Sequence, residues 1–200
     1  MKTFLLFWTP EKQWLKLDSL ARRIEDGMCG EYSYIQPWPL TNNNDINEGD
    51  RFFIICTKRN WPKGNSIYDY LRSTRDCYMG IGPNASKFYN LDGVCFGGIF
   101  KSAPYEDEET DNNMVIDLSL EFAVLPGLFP IIHLNRLKKE IPNFDWAKTE
   151  GEFLIEGEEE KSFSGIISKW MMSSNMQVSD FTNFTGRNLH RAHDNLFKKS

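Results

Sequence analysis

The sequence predicts an α+β protein, a small mixed β-barrel with flanking α-helices. Three observations point there. Short β-rich apolar runs are scattered among amphipathic stretches without regular alternation. Glycines sit inside strand-like runs, as in "GVCFGGIF" (93–100), where a curling sheet brings backbones close. "RFFIIC" (51–56) is almost unbroken in its apolar character, as expected of a strand covered on both faces or set at the centre of a closed barrel. The 200 residues suffice to bury a sizeable core. Residues 1–175 read as that domain, and 176–200 as a basic C-terminal tail or helix.

The elements follow in order. "TFLLFW" (3–8) is a first strand closed by Thr9-Pro10. "EKQWLKLDSLARRIEDG" (11–27) places Trp14, Leu15, Leu17, Leu20, Ala21 and Ile24 near one helical stripe, with Gly27 as terminator. "MCGEYSYIQPWPLTNNNDIN" (28–47) reads as a loop rich in Pro, Asn and aromatics. Gly49-Asp50 supply a tight turn into the apolar strand at 51–57. "KRNWPKGNSIYDYLRSTRD" (58–76) reads as a loop with a short helix at 66–73, and "CYMGIGPNASKFY" (77–89) as a β-like run broken by Gly and Pro. A glycine-containing strand over 93–107 follows, then "NMVIDLSLEFAVL" (113–125), which alternates Met114, Ile116, Leu118 and Leu120. Residues 130–146 hold a helix, opened by a structural His133, and 162–175 another strand or short helix.

Composition excludes several classes. A mean hydropathy of -0.48, with no run of 18 apolar residues, gives no transmembrane helix. "MKTFLLFWTPEKQW" lacks the length and small-residue cleavage site of a signal peptide, so the expected location is cytoplasmic. Cys29, Cys56, Cys77 and Cys95 form no C-x-x-C pair and read as free buried thiols. His190 and His193 share a helical spacing with only Asp194 nearby, which suits a solvated, phosphate-touching segment better than a metal. G-x-S-x-G, Walker A, H-E-x-x-H and dinucleotide-binding fingerprints do not occur. The expectation is a protein without catalytic residues, cofactor or metal.

The net charge of -5 conceals an uneven distribution. "EDEETD" (106–111) and "EGEFLIEGEEE" (150–160) hold five and six acids and no base, and without them the chain carries about +6. Such runs read as solvated loops. Basic residues gather at Lys58 and Arg59, at Arg72 and Arg75, and in the tail at Arg187 and Arg191, where contact with a nucleic-acid backbone is expected. Aromatic residues are abundant, with 15 Phe, 6 Trp and 7 Tyr. Those in Pro- and Asn-rich segments, Tyr32, Tyr34, Trp38 and Trp61, have the character of stacking faces for unpaired or flipped bases.

The order of "FLLFWTPE", "PWPL", "EGDRFFIICT", "GGIFKSAPYEDE", "NMVIDLSLEF", "LNRLKKEIP" and "SFSGIISKW" resembles the EVE branch of the PUA-like superfamily, over roughly residues 1–172. Related domains occur alone and at the front of McrBC-type restriction systems. The resemblance implies a PUA-like barrel that reads a modified base, a flipped cytosine derivative, in DNA or alternatively RNA, with a restriction or defence-system protein as partner. By position it assigns ligand contacts to Trp8 and Thr9 at the end of the first strand, Trp38 on a covering loop, Phe53 on the central strand, and Ser102 and Tyr105 near the rim. Four of these also have a plainer reading: barrel core for Trp8, Trp38 and Phe53, and a local strand-end hydrogen bond for Ser102. A small-molecule hydrolase or a protein-interaction module of a defence operon is the alternative function.

Overall fold

The structure is a computed structural model that describes residues 1–8, 34–41, 45–56, 92–108, 113–123, 132–173 and 193–197. The expected helix at 11–27, the segments at 58–76 and 77–89, and most of the basic tail lie outside the described residues.

Among the described residues, eight strands form one sheet: β1 (Thr3–Trp8), β2 (Tyr34–Pro39), β3 (Arg51–Cys56), β4 (Gly93–Phe100), β5 (Tyr105–Asp107), β6 (Asn113–Ala123), β7 (Ile132–His133) and β8 (Gly151–Ile155). The path runs β2-β6-β4-β3-β1-β8, with β5 paired to β6 and β7 to β4. β1 and β3 are parallel, with Leu5 beside Phe53 and Phe7 beside Ile55. Helices α1 (Leu134–Glu140) and α2 (Gly157–Ser173) accompany the sheet. The protein is thus α+β, with a strongly curled sheet forming a half-barrel.

β1 and β3 are apolar after their first residues, Thr3 and Arg51, because both of their faces are covered. Leu5, Phe7, Phe53 and Ile55 join a cluster with Leu134 and Leu137 of α1 and Phe163, Ile167 and Met171 of α2. Their alternate neighbours Phe4, Leu6, Trp8, Phe52 and Ile54 join a second cluster with Trp38, Ile46, Phe96, Phe100, Ile116 and Leu118. This second cluster draws on β1, β2, β3, β4 and β6, so it is the concave side of the curl; the helices cover the convex side.

Two irregularities produce the bend. The β3–β4 register shifts between Ile54 and Ile55, and the β4–β6 register between Gly97 and Gly98; such bulges sharpen local twist. Gly98 has a steric reason to be glycine, because a Cβ there would lie 1.9 Å from the Ser119 carbonyl oxygen and 2.8 Å from the Phe52 ring.

The turn before β3 is built as its sequence suggests. Gly49 has φ +89°, a region that costs glycine little. The Asp50 carboxylate accepts hydrogen bonds from Lys2 N at 2.6 Å and Asn47 N at 3.1 Å. Gly49 and Phe100 also bond across, N–H of Gly49 to O of Phe100 and N–H of Phe100 to O of Asp50, each at 2.9 Å. The start of β3 is thereby tied to both β1 and β4.

Three sequence expectations need correction. The Pro-rich stretch around Trp38 is a strand, β2, pairing with β6 from Tyr34↔Leu120 to Pro39↔Val115. Two prolines fit there because β2 ends the sheet path, and an edge strand tolerates missing N–H donors. The acidic run 150–160 is not a solvated loop: its first half is β8 and its second half opens α2. Glu158, Glu159 and Glu160 occupy the first turn of α2, where the helix dipole favours carboxylates. Residues 162–173 belong to the same helix, whose buried Phe163, Ile166, Ile167, Trp170 and Met171 follow the 3.6 period.

Candidate functional site at the sheet seam

The concave face has a seam where its first and last strands meet without a backbone ladder. β2 and β8 are the two ends of the sheet path, and Glu152 of β8 reaches across to β2. Glu152 sits opposite Leu6 of β1, and strand alternation turns it to the concave side, with Phe153 and Ile155 turned to the helices. Its Oε1 accepts from Trp38 Nε1 at 3.3 Å, and its two oxygens accept from Thr41 N at 3.3 and 3.1 Å. Glu152 is 1% exposed and Trp38 is 0% exposed. A carboxylate so enclosed is tolerable only because it is hydrogen-bonded.

Several aromatic rings share the concave cluster with Trp38. Trp8 lies edge-on to Phe96 at 6.3 Å, and Phe4 edge-on to Phe100 at 5.8 Å. Chemically the seam offers aromatic surface, an indole donor and an oriented carboxylate acceptor. The sequence reading missed Glu152 because it was counted among six acids in one run. The available signal was local: Glu152 is followed by Phe153, Leu154 and Ile155, an apolar strand pattern within an acidic stretch.

The sequence-derived residues fall into separate groups. Trp8 and Trp38 share the concave cluster. Phe53 faces the other way, its ring 5.1 Å from that of Phe163 on α2. Ser102 and Tyr105 meet at Asp117: the Asp117 N–H donates to Ser102 Oγ at 3.0 Å, and Tyr105 OH donates to Asp117 Oδ1 at 3.0 Å. Since Asp117 alternates with Ile116 and Leu118, this trio lies on the outer face of β6. The Tyr105 hydroxyl is pushed up to about 12, by partial burial first and then by its bond to the Asp117 carboxylate and that group's charge. Thr9, Lys58, Arg59, Arg72, Arg75, Arg187 and Arg191 lie outside the described residues.

A second polar cluster occupies the convex side. Arg51 Nη2 pairs with Glu160 Oε1 at 2.7 Å, and Nη1 donates to the Leu196 carbonyl at 3.3 Å. Glu160 also accepts from Ser164 Oγ at 2.5 Å and Thr3 Oγ1 at 3.2 Å. Burial lowers the Arg51 pKa from its ordinary value, with Glu160 opposing the shift. Residues 193–197 make a helical turn packed on this cluster, with Leu196 fully buried and the Phe197 ring 5.1 Å from the Arg51 guanidinium carbon. Within it, His193 Nε2 lies 2.8 Å from Ser168 Oγ, and His193 Nδ1 lies 3.4 Å from Asp194 Oδ1.

That order of Ser, His and Asp matches a hydrolytic triad in residue type alone. Ser168 lies within α2, where backbone N–H groups serve the helix rather than an oxyanion. The Asp194 contact is long for an orienting bond. Among the described residues, His, Cys, Asp and Glu form no group of three able to hold a metal ion, and no helix is long and apolar enough to cross a membrane. Compared with known proteins, the chain matches no family model, no curated protein and no solved structure.

Proposed function

We propose that this chain is a non-enzymatic nucleic-acid-binding module of the PUA-like, EVE type, which receives a modified, cytosine-derived base at the seam between β2 and β8. The observation that carries this reading is the Glu152 carboxylate, held by Trp38 and Thr41 among the aromatic rings of the concave face. A carboxylate is the acceptor that suits the exocyclic amine of a cytosine ring. Indole and phenyl faces suit its stacking, at about 1 to 3 kcal/mol per base. Access needs the seam to part, and the bonds to be exchanged there are side-chain bonds to one carboxylate, two of them at 3.3 Å. A base flipped from a duplex, or already unpaired in RNA, would replace them with its own amine.

The aromatic concave face and the parallel β1–β3 centre support a PUA-like assignment by architecture. DNA is the preferred ligand and RNA its alternative, and a restriction or defence-system protein is the partner class. The hydrolase reading rests on Ser168, His193 and Asp194, and it is the weaker one because a helix-interior serine has no donors ready for an oxyanion.

Fluorescence titration of the intact protein with matched plain, methylated and hydroxymethylated cytosine oligonucleotides, at two salt concentrations, tests the proposal. A preference for one modified form that persists as salt weakens all binding is the expected result. Equal affinity for every form, or none for any, would end it.

A further inference from the structure

The loop between α1 and β8 borders a second, half-open space. A cavity of about 490 Å³ lies between α1, residues 142–149 and Asp92, within the size range of small-ligand sites. The Trp146 indole N–H donates to the Ile141 carbonyl at 2.8 Å, folding the loop back on the end of α1. Phe144 and Trp146, with ring centroids 4.6 Å apart, are buried and form the floor. This part of the protein is built rather than loosely draped, and the seam does not use it.

Two ammonium groups line the cavity, Lys138 from α1 and Lys148 from the loop. Lys148 is held in place by aromatic faces, its Nζ 3.7 Å from the Phe153 ring centroid and 5.3 Å from that of Phe144. Neither lysine has a carboxylate partner among the described residues. By contrast, Arg136 of α1 is taken up by Glu140 at 2.7 Å. The lining also holds Asp92 and Asp145, which offset the formal charge. However, Asp145 Oδ1 already accepts from Ala147 N at 3.0 Å, whereas no carboxylate among the described residues claims either lysine. Asn143 adds a neutral amide at the rim.

We propose that this cavity is a phosphate-binding subsite in which Lys138 and Lys148 pair with the oxygens of one phosphate. The phosphate belongs either to a nucleic-acid backbone, in which case the subsite rests on the reader function above, or to a free nucleoside monophosphate that the cavity is large enough to admit. Lysine suits this role as a mobile point charge. Lys148 is the more pre-organised of the pair because its ammonium is held over two rings.

Calorimetric titration of the full chain at low salt with cytidine 5′-monophosphate, cytidine and a plain duplex oligonucleotide tests this. Phosphate-bearing probes should bind where cytidine does not, and Lys138→Gln and Lys148→Gln should each weaken them about tenfold while lowering the salt slope by about one. Lys138 is exposed, so its variant should melt as the parent does and the loss is not attributable to unfolding; Lys148→Arg should keep most of the binding. Duplex binding that depends on both lysines, with no binding of the monophosphate, assigns the phosphate to the backbone. Affinity for every phosphate probe unchanged in both Gln variants, or cytidine binding as tightly as its monophosphate, overturns the proposal. The preference for modified over plain oligonucleotide is separate: a ratio of one with lysine-dependent binding removes the base reader and keeps the phosphate site.

Discussion

On the convex face of the sheet, Leu5, Phe7, Phe53 and Ile55 meet two helices and a closing turn, and the buried Arg51 guanidinium is answered by Glu160 from α2. On the concave face, Phe4, Leu6, Trp8, Phe52 and Ile54 meet side chains of the same sheet curled back on itself, and the ends of the sheet are joined there by Glu152. Each face buries a comparable set of large apolar groups. They differ in what holds them shut: whole helices on one side, a hydrogen-bonded carboxylate on the other. Backbone ladders and helix packing yield cooperatively, whereas side-chain bonds exchange one at a time. The concave face is accordingly the one that can open locally while the fold persists.

Trp38→Ala offers the strongest way to break this comparison. With no exposed surface, Trp38 should cost about 3 to 5 kcal/mol on truncation, read as a fall in the urea midpoint. A loss below about 1 kcal/mol would mean that the seam is already open in solution and the concave face is not a packed core. Gly98→Ala comes next, at about 3 kcal/mol, since the new methyl meets the Ser119 carbonyl and β4 cannot retreat without disturbing β3. An unchanged melting temperature there would place the curl elsewhere.

Glu152→Gln sharpens the contrast at lower cost. It preserves shape but weakens bonds to Trp38 and Thr41, and about 1 to 3 kcal/mol of stability should go. Hydrogen exchange on the variant should quicken first in β2 and β8, with α2 unaffected. Simultaneous quickening of α2 would show that the two faces are not independent.

The smallest effect is at the outer rim. The folded protein holds the Tyr105 proton more tightly than the unfolded chain, with a pKa of about 12 against 10.0. Its contribution to stability is therefore complete below pH 10 and fades as pH rises towards about 12. Tyr105→Phe should remove that alkaline slope and leave neutral stability nearly unchanged, because the side chain is 39% exposed. A chemical melt at pH 8 and pH 11 distinguishes the two slopes.

What the sequence revealed was whatever depends on near neighbours. β1, β3 and β6 could be read because their apolar patterns span consecutive residues, and the turn at Gly49-Asp50 because its chemistry is local. β2 was hidden by its prolines, which argue against a strand unless the strand is known to be an edge, and edge position is fixed by the pairing of distant segments. Glu152 was hidden for the same reason. Its partner Trp38 is 114 positions away, so neither residue's role is written in its own surroundings. Phe53 and Trp38 were grouped by position through the resemblance, and only the pairing of β1 with β3 and of β2 with β6 places them on opposite faces.

The placement of β1 has a kinetic consequence. It lies between β3 and β8, with Thr3 aligned to Arg51 on one side and to Ile155 on the other, and its Thr3 hydroxyl reaches Glu160, 157 positions further along. The β8 end of the sheet is thus completed by the pairing of greatest sequence separation. Ordering so long an intervening chain costs entropy before any contact offsets it, and proteins rich in such contacts fold on the millisecond-to-second scale. Until β8 arrives, one edge of β1 carries unpaired backbone groups beside Phe4, Leu5, Leu6 and Phe7, an adhesive template for another copy of the same segment. Refolding yield should therefore fall with protein concentration, and the interval before β8 docks is when the chain is most exposed to that loss.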